Sequence, residues 1–244
     1  MSAPVLLLVA HGSRDPRHAA TVHALVRRVR SLRPGLRVET AFLDFNLPSV
    51  PGTLDLLAAE GVRDVVALPL LLTRAFHAKA DIPAVLRQAP PALRIRQAEV
   101  LGPSPLLVAA VEQRLYEAGL TPADKSATGV VLASAGSTDP EAIAAIASTA
   151  RELRRTGWCS VRPAFASASL PRTEDAVRAM RADGVRRVAV APYVIAPGRL
   201  PDRIAAGAAE ADVLAAVLGP SEELARLLVQ RYDQSRTTER VAVA

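Results

Sequence analysis

The chain has 244 residues, enough for one large α/β domain or two of about 120 residues each, and half of them are apolar, which excludes an intrinsically disordered chain. Its net charge of +6 rests almost entirely on arginines interspersed with acidic residues, without the basic runs and interleaved aromatics of a nucleic-acid surface. A single cysteine, Cys159, excludes an intrachain disulfide framework and a cysteine-rich metal or iron–sulfur site, and the opening apolar run is too short for a signal peptide or a membrane span. A cytoplasmic protein with no membrane partner is expected.

Residues 5–10, VLLLVA, form a continuous apolar run of the kind found in strands covered on both faces. The run ends at His11, Gly12, Ser13 and Arg14, after which Asp15 and Pro16 make an N-cap and first-turn pair for a helix over 17–32. A second strand over 36–44 closes on Asp44, and a helix follows over 53–61. A third strand over 64–72 leads into a loop carrying Arg74, His77 and Lys79. The pattern then gives a helix over 81–89, a strand over 94–102 and a helix over 105–119. This alternation predicts a parallel sheet of about four strands with helices on both faces. No phosphate-binding loop and no GxGxxG run interrupts it, so no nucleotide is expected.

After the polar stretch 119–129 the pattern starts again. Residues 6–16, LLLVAHGSRDP, match 130–140, VVLASAGSTDP; 38–48, VETAFLDFNLP, match 161–171, VRPAFASASLP; 61–72 match 184–195, and 101–107 match 218–224. A repeat this long is two copies of one supersecondary order. The expected organisation is therefore α/β, with domains over 1–120 and 128–234, a cleft between them and a frayed tail over 235–244.

Open parallel sheets bind ligands beyond the carboxyl ends of their strands, where His11, Asp44 and His77 fall. Two imidazoles and a carboxylate suit a borderline divalent ion such as Fe, Co, Ni or Zn, with coordination positions left open. Singly, each residue has a structural alternative: a hydrogen-bonded strand end, a turn cap, a solvated loop residue. The repeat weighs against those alternatives. His11 aligns with Ala135, Asp44 with Ser167 and His77 with the neighbourhood of Leu200, while Gly136, Ser137, Asp139, Pro140, Phe165, Pro171 and Pro192 persist. What the fold requires should recur in both copies; a site used in only one need not. The first copy thus reads as active and the second as scaffold. His18 and His23, in the first helix, read as surface or helix-packing residues.

The stretches AHGSRDP, FLDFNLPSV and PLLLTRAFHAKADIP resemble the class II tetrapyrrole chelatases, the group of sirohydrochlorin ferrochelatases and anaerobic cobaltochelatases. The resemblance implies two tandem chelatase-like domains in which His11 and His77 hold the incoming metal and help remove protons from the macrocycle. Asp44 stands where many members carry glutamate, and Arg74, Ala75 and Phe76 stand where small residues are common. The implied substrates are sirohydrochlorin and a divalent metal, Fe²⁺ ahead of Co²⁺, without ATP. Arg14, Arg74, Lys79 and the amides of Gly12 and Ser13 are candidates for the carboxylates of the macrocycle. A non-catalytic carrier of metal or tetrapyrrole is the alternative from another class. A monomer or weak homodimer is expected, since a tandem repeat supplies within one chain what a single-domain relative would gain by dimerising.

Overall fold

In the computed structural model, which describes residues 3–237, the apolar runs become two four-stranded, wholly parallel sheets. The first contains β1 (Val5–Ala10), β2 (Val38–Phe42), β3 (Asp64–Pro69) and β4 (Arg94–Gln97), in the order β2-β1-β3-β4. The second contains β5 (Thr128–Ser134), β6 (Ser160–Phe165), β7 (Arg187–Tyr193) and β8 (Val213–Leu214), in the order β6-β5-β7-β8. The central strands β1 and β5 are buried along their whole length, which is why their sequences show no alternation. In each sheet the chain order reverses beside the central strand, and a crevice at the carboxyl ends of the strands follows from that topology.

The helices begin where the sequence places their caps. Helix α1 (Pro16–Leu32) starts behind Asp15, whose carboxylate accepts from the Arg17 N–H; α5 (Pro140–Arg155) repeats this with Asp139 and Glu141. Val22, Leu25, Val26 and Val29, spaced three and four apart, form the buried stripe of α1, and each such side chain contributes about 1.5–3 kcal/mol on burial. Helix α2 (Val50–Ala59) starts three residues earlier than its apolar pattern suggests, because Ser49 caps it through the Gly52 N–H. The third helical segment of the first half opens as a π-helical turn over His77–Asp81 and continues as α3 (Ile82–Leu86). Then come α4 (Pro105–Glu117), a 3₁₀ turn over Pro122–Ala127 in the polar stretch between the repeats, α6 (Thr173–Ala182), α7 (Arg199–Gly207) and α8 (Glu222–Thr237). Residues 235–237, expected in the tail, prolong α8; the rest of that tail lies outside the described residues.

The compact units do not follow the boundaries expected from the repeat. One unit runs to Gly102 and includes the described residues from Glu222 onward; the other is Pro103–Ser221. Helix α4, which ends the first repeat, packs in the unit of the second sheet, where the Arg114 guanidinium donates to the Leu218 carbonyl (2.7 and 3.1 Å) and the Trp158 indole donates to Glu112 (3.1 Å). Helix α8, which ends the second repeat, packs in the unit of the first sheet. There the Tyr232 hydroxyl donates to the Pro4 carbonyl (2.6 Å), and Arg231 donates to the carbonyls of Val100 and Leu101 (3.0 Å each). The repeats are units of sequence, and the terminal helices are exchanged between units of packing. Among the described residues no helix is long and apolar enough to cross a membrane.

Candidate metal site

Three segments at the carboxyl edge of the first sheet bring their side chains together. The chain leaves β1 through His11 and Gly12, and the turn after β2 folds back onto them: the Asp44 N–H donates to the His11 carbonyl (2.9 Å), and the Ser13 N–H donates to Asn46 Oδ1 (2.8 Å). Gly12 has φ +95°, and a Cβ there would lie 1.9 Å from the Asp44 carbonyl oxygen, so only glycine lets the two turns meet. The second unit repeats this junction, with Gly136 at φ +97° and the Ser167 carbonyl 1.9 Å from the same hypothetical atom. The glycines are therefore architecture.

The histidines are not repeated, and they meet. The rings of His11 and His77 lie edge to face with centroids 4.6 Å apart. Each ring has its Nδ1 beside an acceptor: the Gly12 carbonyl for His11 (3.1 Å) and Asp81 Oδ2 for His77 (2.6 Å). An acceptor at Nδ1 calls for a proton on that nitrogen, and in its neutral form a ring so placed keeps a bare Nε2 lone pair for a metal ion or a proton. The wide turn that carries His77 closes with the Ile82 N–H donating to the His77 carbonyl, and Pro83, two residues after Asp81, has no N–H with which to continue a regular ladder. Asp81 lies on the π-helical turn and not at a strand end. Its signal is the i, i+4 spacing from His77, which puts both on one helical face.

Asp44 does not complete a three-ligand set. Among the described residues no three His, Cys, Asp or Glu side chains are placed to hold one ion, and the Asp44 carboxylate instead accepts from the Phe45 N–H (2.8 Å). The Ser13 amide, a candidate for a substrate carboxylate, is already committed to Asn46. Arg14 is exposed and stacks over the Phe45 ring, its guanidinium carbon 5.3 Å from the centroid. Arg74 is exposed, and no ion pair engages it among the described residues; Lys79 is exposed on the same π-helical turn as His77. His18 and His23 flank Phe42, with centroids 6.5 and 6.1 Å away. Burial holds the His18 imidazole below its ordinary pKa, with a smaller contribution from His11, and it packs as expected of a helix residue.

The family model CbiX matches twice, over residues 5–118 and 129–235. The chain belongs to the CbiX family. The two matches follow the sequence repeat, exchanged helices included. A relative from Priestia megaterium named sirohydrochlorin cobaltochelatase is 29% identical over 82% of this chain, which spans 66% of that relative, just under two thirds. A second protein from the same organism, named sirohydrochlorin ferrochelatase, is 25% identical over 91% of this chain and 87% of its own length. The structure described as SirB from Bacillus subtilis with Fe³⁺ superposes with a TM-score of 0.83 over 97% of both chains at 24% identity, which establishes the shared fold.

Proposed function

We propose that this CbiX-family chain is a sirohydrochlorin chelatase that inserts a divalent metal into the macrocycle without ATP. The observation that carries the reading is the pair of imidazoles, 4.6 Å between ring centroids, each with Nδ1 beside an acceptor and both confined to one repeat. The metal is here a substrate. Two Nε2 ligands hold it while leaving most of its coordination sphere for ring nitrogens. Insertion releases the two pyrrole N–H protons as the four ring nitrogens replace the imidazoles. Each Nε2 freed by the departing metal then presents the lone pair that takes up a proton, so metal and protons exchange at the same atoms. Asp81 holds the His77 ring in register and stabilises the imidazolium that forms.

Fe²⁺, giving siroheme, is the first metal of this reading. Co²⁺ is the second, favoured by the relative named as a cobaltochelatase. The carrier alternative uses the same two histidines, and stoichiometry separates the two. With sirohydrochlorin and metal in excess over protein, a chelatase continues past one metallated macrocycle per chain, as followed by the absorbance change. A carrier stops at one equivalent, and that result would overturn the reading.

A further inference from the structure

The imidazole pair is the middle of a longer row. Phe45 lies 6.2 Å from His11 and Phe76 lies 6.2 Å from His77, centroid to centroid, so four rings run Phe45, His11, His77, Phe76 with both phenylalanines outermost. The outer rings face solvent, Phe45 at 51% and Phe76 at 68% exposure, in a chain with only four phenylalanines. Exposed apolar side chains are ordinary singly, but two aromatic rings bracketing a polar pair form a patch that calls for an occupant. Leu47, 82% exposed, is a different case: its counterpart Leu170 is 72% exposed, so both loops share that feature.

The second repeat again separates fold from function. Phe45 sits at φ +61°, a conformation that disfavours bulky side chains, and its counterpart Ala168 adopts the same turn at φ +60°. The loop is therefore built equally well without an aromatic ring, and the ring at 45 occupies a costly backbone position while remaining half in water. Phe76 aligns with Arg199. Both phenylalanines are absent from the copy that lacks the histidines, as a shared task for all four rings requires.

We propose that Phe45 and Phe76 are specificity-determining residues for the macrocycle, receiving its apolar face on either side of the imidazoles that carry the metal. This assignment rests on the chelatase reading. The arrangement matches the chemistry of such a ligand: metal-binding nitrogens at the centre, flat hydrocarbon around them and carboxylates at the rim. Arg14, stacked over the Phe45 ring, supplies the cation that a carboxylate rim would meet.

The test is an anaerobic titration of the full chain with metal-free sirohydrochlorin, read by the macrocycle's own fluorescence, alongside calorimetric titration with Co²⁺ alone. Phe45→Ala/Phe76→Ala should raise the macrocycle Kd about tenfold or more while leaving the Co²⁺ Kd within about twofold. Phe45→Tyr/Phe76→Tyr should restore tight macrocycle binding. Because Ala168 already occupies the matching turn, the alanine variant should fold. If that variant, melting as the wild type does, binds the macrocycle as tightly, the proposal is wrong. A wild-type chain that binds the macrocycle through these rings yet never exceeds one metallated equivalent would keep this assignment and remove the chelatase reading.

Discussion

Replacing Gly12 by alanine asks two things of the junction between β1 and the turn after β2. An alanine would have to hold φ +95°, and left-handed conformations cost a residue with a Cβ about 1–2 kcal/mol. Its methyl would also lie 1.9 Å from the Asp44 carbonyl oxygen and 3.2 Å from Asn46 Oδ1, and relieving such overpacking costs about 1–3 kcal/mol. Together these give a loss of about 2–5 kcal/mol, or roughly 4–20 °C in Tm at about 2–4 °C per kcal/mol for a chain of this size. Gly136→Ala meets the Ser167 carbonyl at the same 1.9 Å and should lose a comparable amount. Gly35→Ala meets nothing within 4 Å and should stay within about 0.5 kcal/mol of the wild type. Thermal unfolding by circular dichroism gives the stabilities, and metal insertion is measured below the lowest transition. Gly12→Ala should lose activity beyond its unfolded fraction, because the displaced turn bonds to the His11 carbonyl; Gly136→Ala should lose no more than its unfolded fraction. A Gly12→Ala protein that melts within about 1 °C of the wild type would refute the steric argument.

Asp81→Asn leaves the His77 ring without its carboxylate and should weaken Co²⁺ binding about 10- to 100-fold by calorimetry; unchanged affinity would remove Asp81 from the site. Stopping the chain after Ser221 removes α8, with its buried Leu224, Leu227, Leu228 and Tyr232, and should unfold the unit that carries His11 and His77 while Pro103–Ser221 stays folded. Limited proteolysis reads which half survives, and loss of the second half instead would contradict the exchanged packing. Burial lowers the His18 pKa, so the unfolded chain binds the extra proton and this residue's contribution to stability falls as pH drops through the unfolded value near 6.5. The Tm of His18→Phe relative to the wild type should therefore rise between pH 7.5 and 5.5, whereas a constant difference would show that His18 is not held neutral.

The sequence carried the sheets and the helix starts because those are local: unbroken apolar runs, Asp15 with Pro16 and Asp139 with Pro140 act over a few residues. It also carried the meeting of His11 and His77, since the carboxyl edge of a parallel sheet is one place in space. The exchange of α4 and α8 left no local mark. Each ends its repeat with buried apolar residues that do not name the sheet they cover, and the choice rests on distant contacts such as Tyr232 with Pro4. Asp44 shows what a strand-end carboxylate leaves open in the sequence, since it looks the same whether it faces an ion or accepts from the next backbone N–H. Phe45 and Phe76 passed as ordinary apolar residues in loops; their absence from the second copy was visible, but their alignment with the imidazoles was not.

In the proposed reaction one imidazole pair, in one repeat, performs the insertion. The most direct measurement is the initial rate of Co²⁺ or Fe²⁺ incorporation into sirohydrochlorin by the wild type and by His11→Ala/His77→Leu, the residues that the second repeat carries. The wild type should metallate sirohydrochlorin well above the rate without protein, and the variant should fold normally but fall to the protein-free rate. A folded variant that metallates sirohydrochlorin as fast as the wild type would contradict it.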